Sequence, residues 1–401
     1  MGNIFDKATT WLTAGAGYKS GQMYPYKPLK KAYYNFARGS AANERTECGA
    51  LKSKEAHMPI YHYIDSEPYM LLEPSKTNVH TAHSTYSTYY GNTVAYDQTA
   101  DPFGVIRASK FTATTETQPR GESSISPVGN TKYTYSVFFK YVNTDYVGLS
   151  AYTIASDHNA VFNITTGVVV STYACTAKIE PYTDGWYRCS ITYTTPASPS
   201  IHYYKLHVSS ASNASIASIG DSVYFFGVQH ETGDLSSYIF TDGSAASRAL
   251  SYGGRLDNAE TVSIPSGIGA IYLDWIPTDL TNGNYCSIGS TTSDHRILLG
   301  AEGGALKWYY VVSGSAYASG LGGSVGTRYK MLHLFGNGKS RIYINGELVG
   351  NATTQTGFPS VDRISFGSVD YTEQPLFGYV KDFAVFNQFL TPAEAVALTT
   401  I

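Results

Sequence analysis

Along this chain apolar residues recur mostly at every second position. Tyr133, Tyr135, Val137, Phe139 and Tyr141 alternate with Thr134, Ser136, Phe138 and Lys140, a period of two that predicts a strand with one apolar face. Residues 185–192 predict a second strand, paired with 174–182 through a turn at Asp184-Gly185. Residues 223–228 are apolar on both sides, as a central sandwich strand is. Further on, 269–276 and 377–386 read as strands, and 340–349 as a hairpin around Asn345-Gly346, the pair a type I′ turn favours. Helical spacing is rare. It occurs at Ile4, Ala8, Trp11 and Leu12 before the glycines at 15 and 17, and at 391–398, with Thr391 as N-cap and Pro392 at the first position. Pro68 and Pro74 bracket a short apolar run, predicting one edge strand that cannot lengthen either way.

Composition agrees with this pattern. The 401 residues include 35 Tyr and 38 Gly, with only 15% charged residues, a balance that favours many short strands over helices. The fold class expected is all-β: an N-terminal segment (1–32), an irregular connector (33–83), and two antiparallel β-sandwiches of jelly-roll type (84–255 and 256–401). Residues 1–32 bury no core of their own by this reading. They are either a disordered tail or an anchor that orders on a partner, with Ile4, Trp11, Leu12, Tyr24 and Tyr26 as its contacts.

A net charge of −3 gives no basic face for nucleic acid. No apolar run reaches the length of a membrane helix, and residues 1–7 lack the apolar core of a signal peptide. Cys48, Cys175, Cys189 and Cys286 form no C-x-x-C pair. The 174–194 hairpin would hold Cys175 and Cys189 several positions out of register, so four free thiols are expected, as suits assembly in a reducing cytoplasm.

Four stretches, in order, carry a resemblance. "FARGSA" (36–41), "LLEPSKTN" (71–78), "DGWYRCSITYT" (184–194) and "GDSVYFFGVQHETGDLSSYIFTDGSAASR" (220–248) are similar to signature lines of head-spike and tail-fibre proteins of tailed bacteriophages. Phe240 stands where that family has Pro, and His230 where it has an aliphatic residue. The "INGEL" turn (344–348) and the final "GYVKDFAVFNQFLTPAE" (378–394) resemble a concanavalin A-like, laminin-G-like jelly roll. These resemblances imply a virion structural protein, fixed to capsid or tail through its N-terminus, assembled in the host cytoplasm and displayed on the virion surface. They further imply a homo-oligomer, a trimer by family habit, adhering to host-surface or mucosal glycans without enzymatic activity, nucleic acid, cofactor or membrane insertion. The alternative is a polysaccharide-degrading tailspike.

For that alternative the chain offers no "E-x-D-x-x-E" strand. Asp274 and Asp279 flank a strand end, and Glu231 and Asp234 lie beside a loop, where structural roles are expected. His57, His62, His80 and His83 show no zinc spacing. The glycines at 303–304 and 320–323 are turn glycines that open no helix. Sugar C–H faces stack on aromatic rings, so Trp275, Trp308, Tyr309 and Tyr310 are the ligand candidates. On a strand half of such side chains must face inward, so core packing competes at each. Self-association is expected to bury Tyr61, Tyr63 and the Leu71-Leu72 strand against neighbouring chains.

Overall fold

Alternation becomes strands nearly everywhere it was read. The structure, a computed structural model, describes residues 4–8, 10–14, 18–19, 22–23, 34–36, 38–153, 156–209, 216–251, 255–257, 264, 267–281, 283–289, 295–313, 315–353, 363–366 and 375–401. The architecture is all-β, built from antiparallel sheets, with one α-helix, Pro392–Thr399, among the described residues. No described helix is long and apolar enough to cross a membrane, which is silent on strand-built barrels. Contacts divide the chain into two compact units. One gathers Met1–Ala41, Lys54–Pro74 and Ala249–Ile401; the other is Ala42–Ser53 with Ser75–Arg248.

In the second of these units, two six-stranded sheets enclose one core. The first runs Thr88–Tyr90, Arg120–Ile125, His202–Ser209, Tyr146–Thr153, Ser156–Asn163, Val168–Tyr173. The other runs Asn92–Ala100, Ile106–Ala113, Ser222–Thr232, Lys132–Tyr141, Trp186–Thr194, Thr176–Pro181. Tyr133, Tyr135, Val137 and Phe139 enter the core as predicted. The opposite face of their strand is buried too: Phe138 packs with Trp186, Phe226 and Tyr238 in an outer cluster. Gly227 explains a kink there. Its φ of +66° falls where the pairing with Lys132–Tyr141 shifts register between Ser136 and Phe138, and a Cβ would lie 2.6 Å from the Phe138 ring. The hairpin at Asp184-Gly185 forms, pairing Cys189 with Ile179. All four cysteines are free thiols.

The other unit is also a sandwich. Its larger sheet orders Glu347–Thr353, Lys339–Ile344, Tyr329–Gly336, Gly269–Pro277, Gly378–Phe386, Glu67–Leu72 and Ile60–Ile64. The facing sheet orders Arg255–Asp257, Arg363–Ser365, Asn284–Gly289, Arg296–Glu302, Ala305–Val312 and Ser315–Gly322. Ile271, Leu273, Met331 and Phe383 meet Ile288, Ile297, Leu299 and Leu306 between them. At the Asn345-Gly346 turn both residues have positive φ, 49° and 88°, as type I′ requires. The helix Pro392–Thr399 begins with the Thr391 cap, completed as a capping box by Glu394.

Three expectations are corrected here. Residues 4–13 are not a coreless helical tail: 4–7 form a single 3₁₀ turn, and Thr10–Thr13 is a strand antiparallel to Gly378–Phe386. Leu12 is buried, and Ile4, Phe5, Ala8 and Trp11 pack with Tyr272, Leu390 and Leu398 on the sheet's outer side. An apolar sheet face with no second sheet over it recruits the nearest apolar segment, which overrides weak helical spacing. Tyr24 and Tyr26 lie outside the described residues. Second, the 33–83 connector is not irregular throughout, because Ile60–Ile64 and Glu67–Leu72 form a hairpin. Third, the Leu71-Leu72 strand is no edge. Leu71 pairs with Ile60 on one side and Tyr379 on the other, and Leu71 and Leu72 are buried within their own chain rather than by neighbouring copies. Pro68 is tolerated because the pairing with Gly378–Val380 covers only Met70 to Leu72.

Candidate functional site

The four ligand candidates part company according to strand geometry. On Ala305–Val312, Trp308 and Tyr310 share the inward face and are buried, while Tyr309 points the other way. Trp275, on the facing sheet, is fully buried and donates its indole N–H to the Phe377 carbonyl at 2.9 Å. Trp275, Trp308 and Tyr310 therefore present no ring face to a sugar. They are core, a correction to the four-residue platform.

Tyr309 has other companions. On the outward face it meets the Tyr285 ring edge-on at 5.6 Å, beside Leu298 and Val311. Both hydroxyls donate to Glu302 Oε2, Tyr309 at 2.6 Å and Tyr285 at 2.9 Å. These two hydrogen bonds, Tyr309's first, hold the Glu302 carboxyl below its ordinary pKa. The carboxylate is thus ionised at neutral pH and fixed in orientation, with Oε1 left to accept a ligand hydroxyl. Sequence reading missed Tyr285 and Glu302. Alternation along 284–289 would have put Tyr285 on Tyr309's face, but the Tyr–Glu pairing comes from cross-strand register, which no short motif encodes.

The signature residues of the other unit form a buried lock. Asn78, the last residue of "LLEPSKTN", is fully buried. Its Nδ2 donates to the carbonyls of Val228 and Ile239, both at 3.0 Å, and its Oδ1 accepts from the backbone N–H groups of His80 and His230. Gln229 donates to Glu231 at 2.8 Å and accepts from Ile239 N–H at 2.7 Å. The Glu231 carboxylate further accepts from Ser236 N–H at 2.9 Å and Ser236 Oγ at 2.6 Å. Arg188 donates to the Ser236 carbonyl and to Ser136 Oγ, and Arg248 to Ser237 Oγ at 2.7 Å. These motifs hold turns against strands. Charge satisfied internally in this way offers nothing to a ligand.

The remaining acids are similarly committed. Asp274 accepts both guanidinium bonds of Arg328, at 2.8 and 2.6 Å. Asp382 stands opposite it across the strands and accepts the Trp11 indole N–H at 2.9 Å. Burial pushes the Asp382 pKa up, but both carboxyls serve to fasten Trp11 and Arg328. Asp279 caps Thr281, and Asp234 pairs with Lys132 at the surface. His80 bonds Tyr204 and the Thr85 carbonyl, His83 the Thr241 carbonyl, and His57 the Arg38 N–H. His62 tilts against Tyr379. Among the described residues no three His, Cys, Asp or Glu converge on a metal position. A small, mostly apolar hollow is lined by Leu12, Thr13, Ala14, Tyr61, Met70, Val380 and Lys381.

Comparison with known proteins places one part of the chain. Residues 274–396 match the family described as Laminin_G_3, Concanavalin A-like lectin/glucanases superfamily. That stretch holds Tyr285, Glu302 and Tyr309. No curated protein sequence matches the chain. Among solved structures, it is similar to the CBM40 domain of Ruminococcus gnavus IT-sialidase, at 19% identity over 37% of this chain and 93% of that one, with a TM-score of 0.31. Domain 4 of an extracellular arabinanase from Geobacillus stearothermophilus, in complex with arabinotriose, gives 19% identity over 42% and 82%, with a TM-score of 0.32. A heptameric SAP-like pentraxin from Limulus polyphemus gives 15% over 36% and 74%, with a TM-score of 0.29.

Proposed function

We propose that this protein is a glycan-binding structural protein of a tailed-phage virion, a head fibre or spike or a tail fibre. The observation that carries the binding half is the Tyr285–Glu302–Tyr309 cluster, placed on an outward sheet face within the stretch matching a lectin/glucanase superfamily. A fixed ionised carboxylate accepts sugar hydroxyls, and the partly buried Tyr309 ring beside it offers its open side to sugar C–H groups. Support for the virion half is the four spike-type sequence lines. Assembly in the host cytoplasm, display on the virion surface and a homotrimeric state belong to the same reading.

The test is a glycan library probed with the intact protein. Binding that Tyr309→Ala abolishes while the protein still unfolds cooperatively supports the site; undiminished binding overturns it. Immunogold labelling of purified particles tests the virion half, and light scattering of the isolated protein the trimer. The protein acts here by adhesion without turnover, since the singled-out acids each have a structural partner. Host polysaccharide that shortens on incubation would replace this with the depolymerase reading.

A further inference from the structure

The Ser75–Arg248 sandwich has a face that the sequence motifs never touch. In the sheet containing Arg120–Ile125, His202–Ser209 and Tyr146–Thr153, the residues Leu206, Val208, Val147 and Leu149 point into the core. Alternate residues therefore share the other side. Register lines them up in rows across the strands. One row is Tyr90, Arg120, His207 and Gly148; the next is Thr88, Glu122, Lys205 and Ser150; the third is Ser124, Tyr203 and Tyr152.

These side chains converge. Glu122 Oε2 takes both cations, Arg120 Nε at 3.1 Å and Lys205 Nζ at 3.4 Å. Arg120 lies over the Tyr90 ring at 4.2 Å, and Lys205 over Tyr152 at 4.7 Å and Tyr203 at 6.0 Å. The charged side chains are sunk, between 12% and 19% exposed, whereas Tyr90 and Tyr152 stand 43% and 39% exposed on either side. His207 is 6% exposed. Its Nε2 bonds Ser150 Oγ at 3.0 Å, and its Nδ1 is a buried nitrogen with no partner. Beside it stands Gly148, which carries no side chain. Burial first, then the charges of Lys205 and Arg120, hold this ring neutral by lowering its pKa to about 3.

Two cations sharing one carboxylate leave one positive charge in excess within this cluster, and the next carboxylate on the face, Asp157, stands beyond Tyr152 at the far end of its row. We propose that this face is a second saccharide site, selective for sugars bearing a carboxylate. The sugar carboxylate takes the unused N–H groups of Arg120 and Lys205, a charge-assisted contact with little water to compete. The exposed rings of Tyr90 and Tyr152 take C–H faces. Those tyrosines sit three strand spacings apart across the sheet and four residues apart along it, about 20 Å between Cα atoms, which spans an oligosaccharide rather than a single residue.

This site is in the other compact unit from Tyr309, so the two proposals fail separately. Titration calorimetry of the full chain with a galacturonate trimer, a sialylated trisaccharide and neutral maltotriose reads it out. At least one acidic probe is expected to bind about tenfold or more tighter than maltotriose, a difference of about 1.4 kcal/mol. Which acidic probe wins separates a uronate polymer from a sialylated surface as the source. Lys205→Gln and Arg120→Lys, which keep the packing stems, should each cost about tenfold, while Tyr309→Ala leaves acidic-sugar affinity unchanged. Equal affinity for acidic and neutral probes, or acidic-sugar binding lost in Tyr309→Ala but not in Lys205→Gln, overturns the proposal.

Discussion

The two sandwiches close the same kind of double sheet with opposite chemistry. In the Ser75–Arg248 unit the fold is pinned by buried polar groups: the Asn78–Gln229–Glu231–Ser236 lock with its two arginines, and a cluster in which His230 stacks on Tyr204 and Tyr133 and bonds Tyr193. The Ala249–Ile401 unit is pinned by aliphatic and tryptophan packing, with Thr10–Thr13 joined to its larger sheet and the 4–8 turn and the helix Pro392–Thr399 laid over that sheet as apolar cover. Polar locks define one arrangement sharply and fail badly when one member is removed. Apolar cover is more forgiving, because a lost methylene leaves a cavity rather than an uncompensated charge.

The sharpest break is Glu231→Ala. It orphans Ser236 and Gln229 donors and leaves buried arginines short of charge, an expected loss of about 3–5 kcal/mol. Denaturation followed by limited proteolysis should show cleavage first within 75–248; cleavage first elsewhere would invert the comparison. Leu12→Ala tests the apolar side, at about 2–4 kcal/mol, and should loosen the Ala249–Ile401 unit alone. Removing residues 1–14 should do the same more severely, since those residues complete a sheet.

Acid sharpens the contrast further. Burial holds His80 neutral down to about 4, and His207 and His230 down to about 3. In the unfolded chain they take protons near 6.5. Their contribution is complete above pH 6.5 and drains as pH falls from there toward 4 and 3, at about 1.4 kcal/mol per unit per group. The Ala249–Ile401 unit has a comparable group in His333. Unfolding monitored between pH 7 and 4 should therefore lose the Ser75–Arg248 unit first, and His230→Phe should flatten that slope. Smallest of all, Thr391→Ala removes a helix cap for about 1 kcal/mol, seen as a minor drop in the melting temperature of the Ala249–Ile401 unit.

Strand periodicity made the sheets legible, because alternation and turn residues are local. The strand at Lys132–Tyr141, the Asn345-Gly346 turn and the Thr391 cap all sit where local chemistry put them. What stayed hidden is what register decides. Tyr309 was readable as an aromatic on a strand, yet its separation from Trp308 and Tyr310, and its meeting with Tyr285 and Glu302, depend on strands far apart in sequence. Asn78 and Glu231 were visible as motif residues, but a motif does not say whether its polar groups face water or one another. The N-terminal strand was missed because four residues carry too little pattern to outweigh helical spacing.

That strand also sets a timetable. Trp11 and Asp382 are bonded across 371 residues, and the sheet that joins them cannot close until the far end of this sequence has left the ribosome. The intervening 75–248 stretch has all but its 42–53 piece within itself, so it is free to fold while synthesis continues. Until then Leu12 and the apolar face it will meet are both uncovered, and pairings this distant are the slow kind. Release from a stalled ribosome before residue 378 should thus yield one sandwich finished and the other awaiting its last strand.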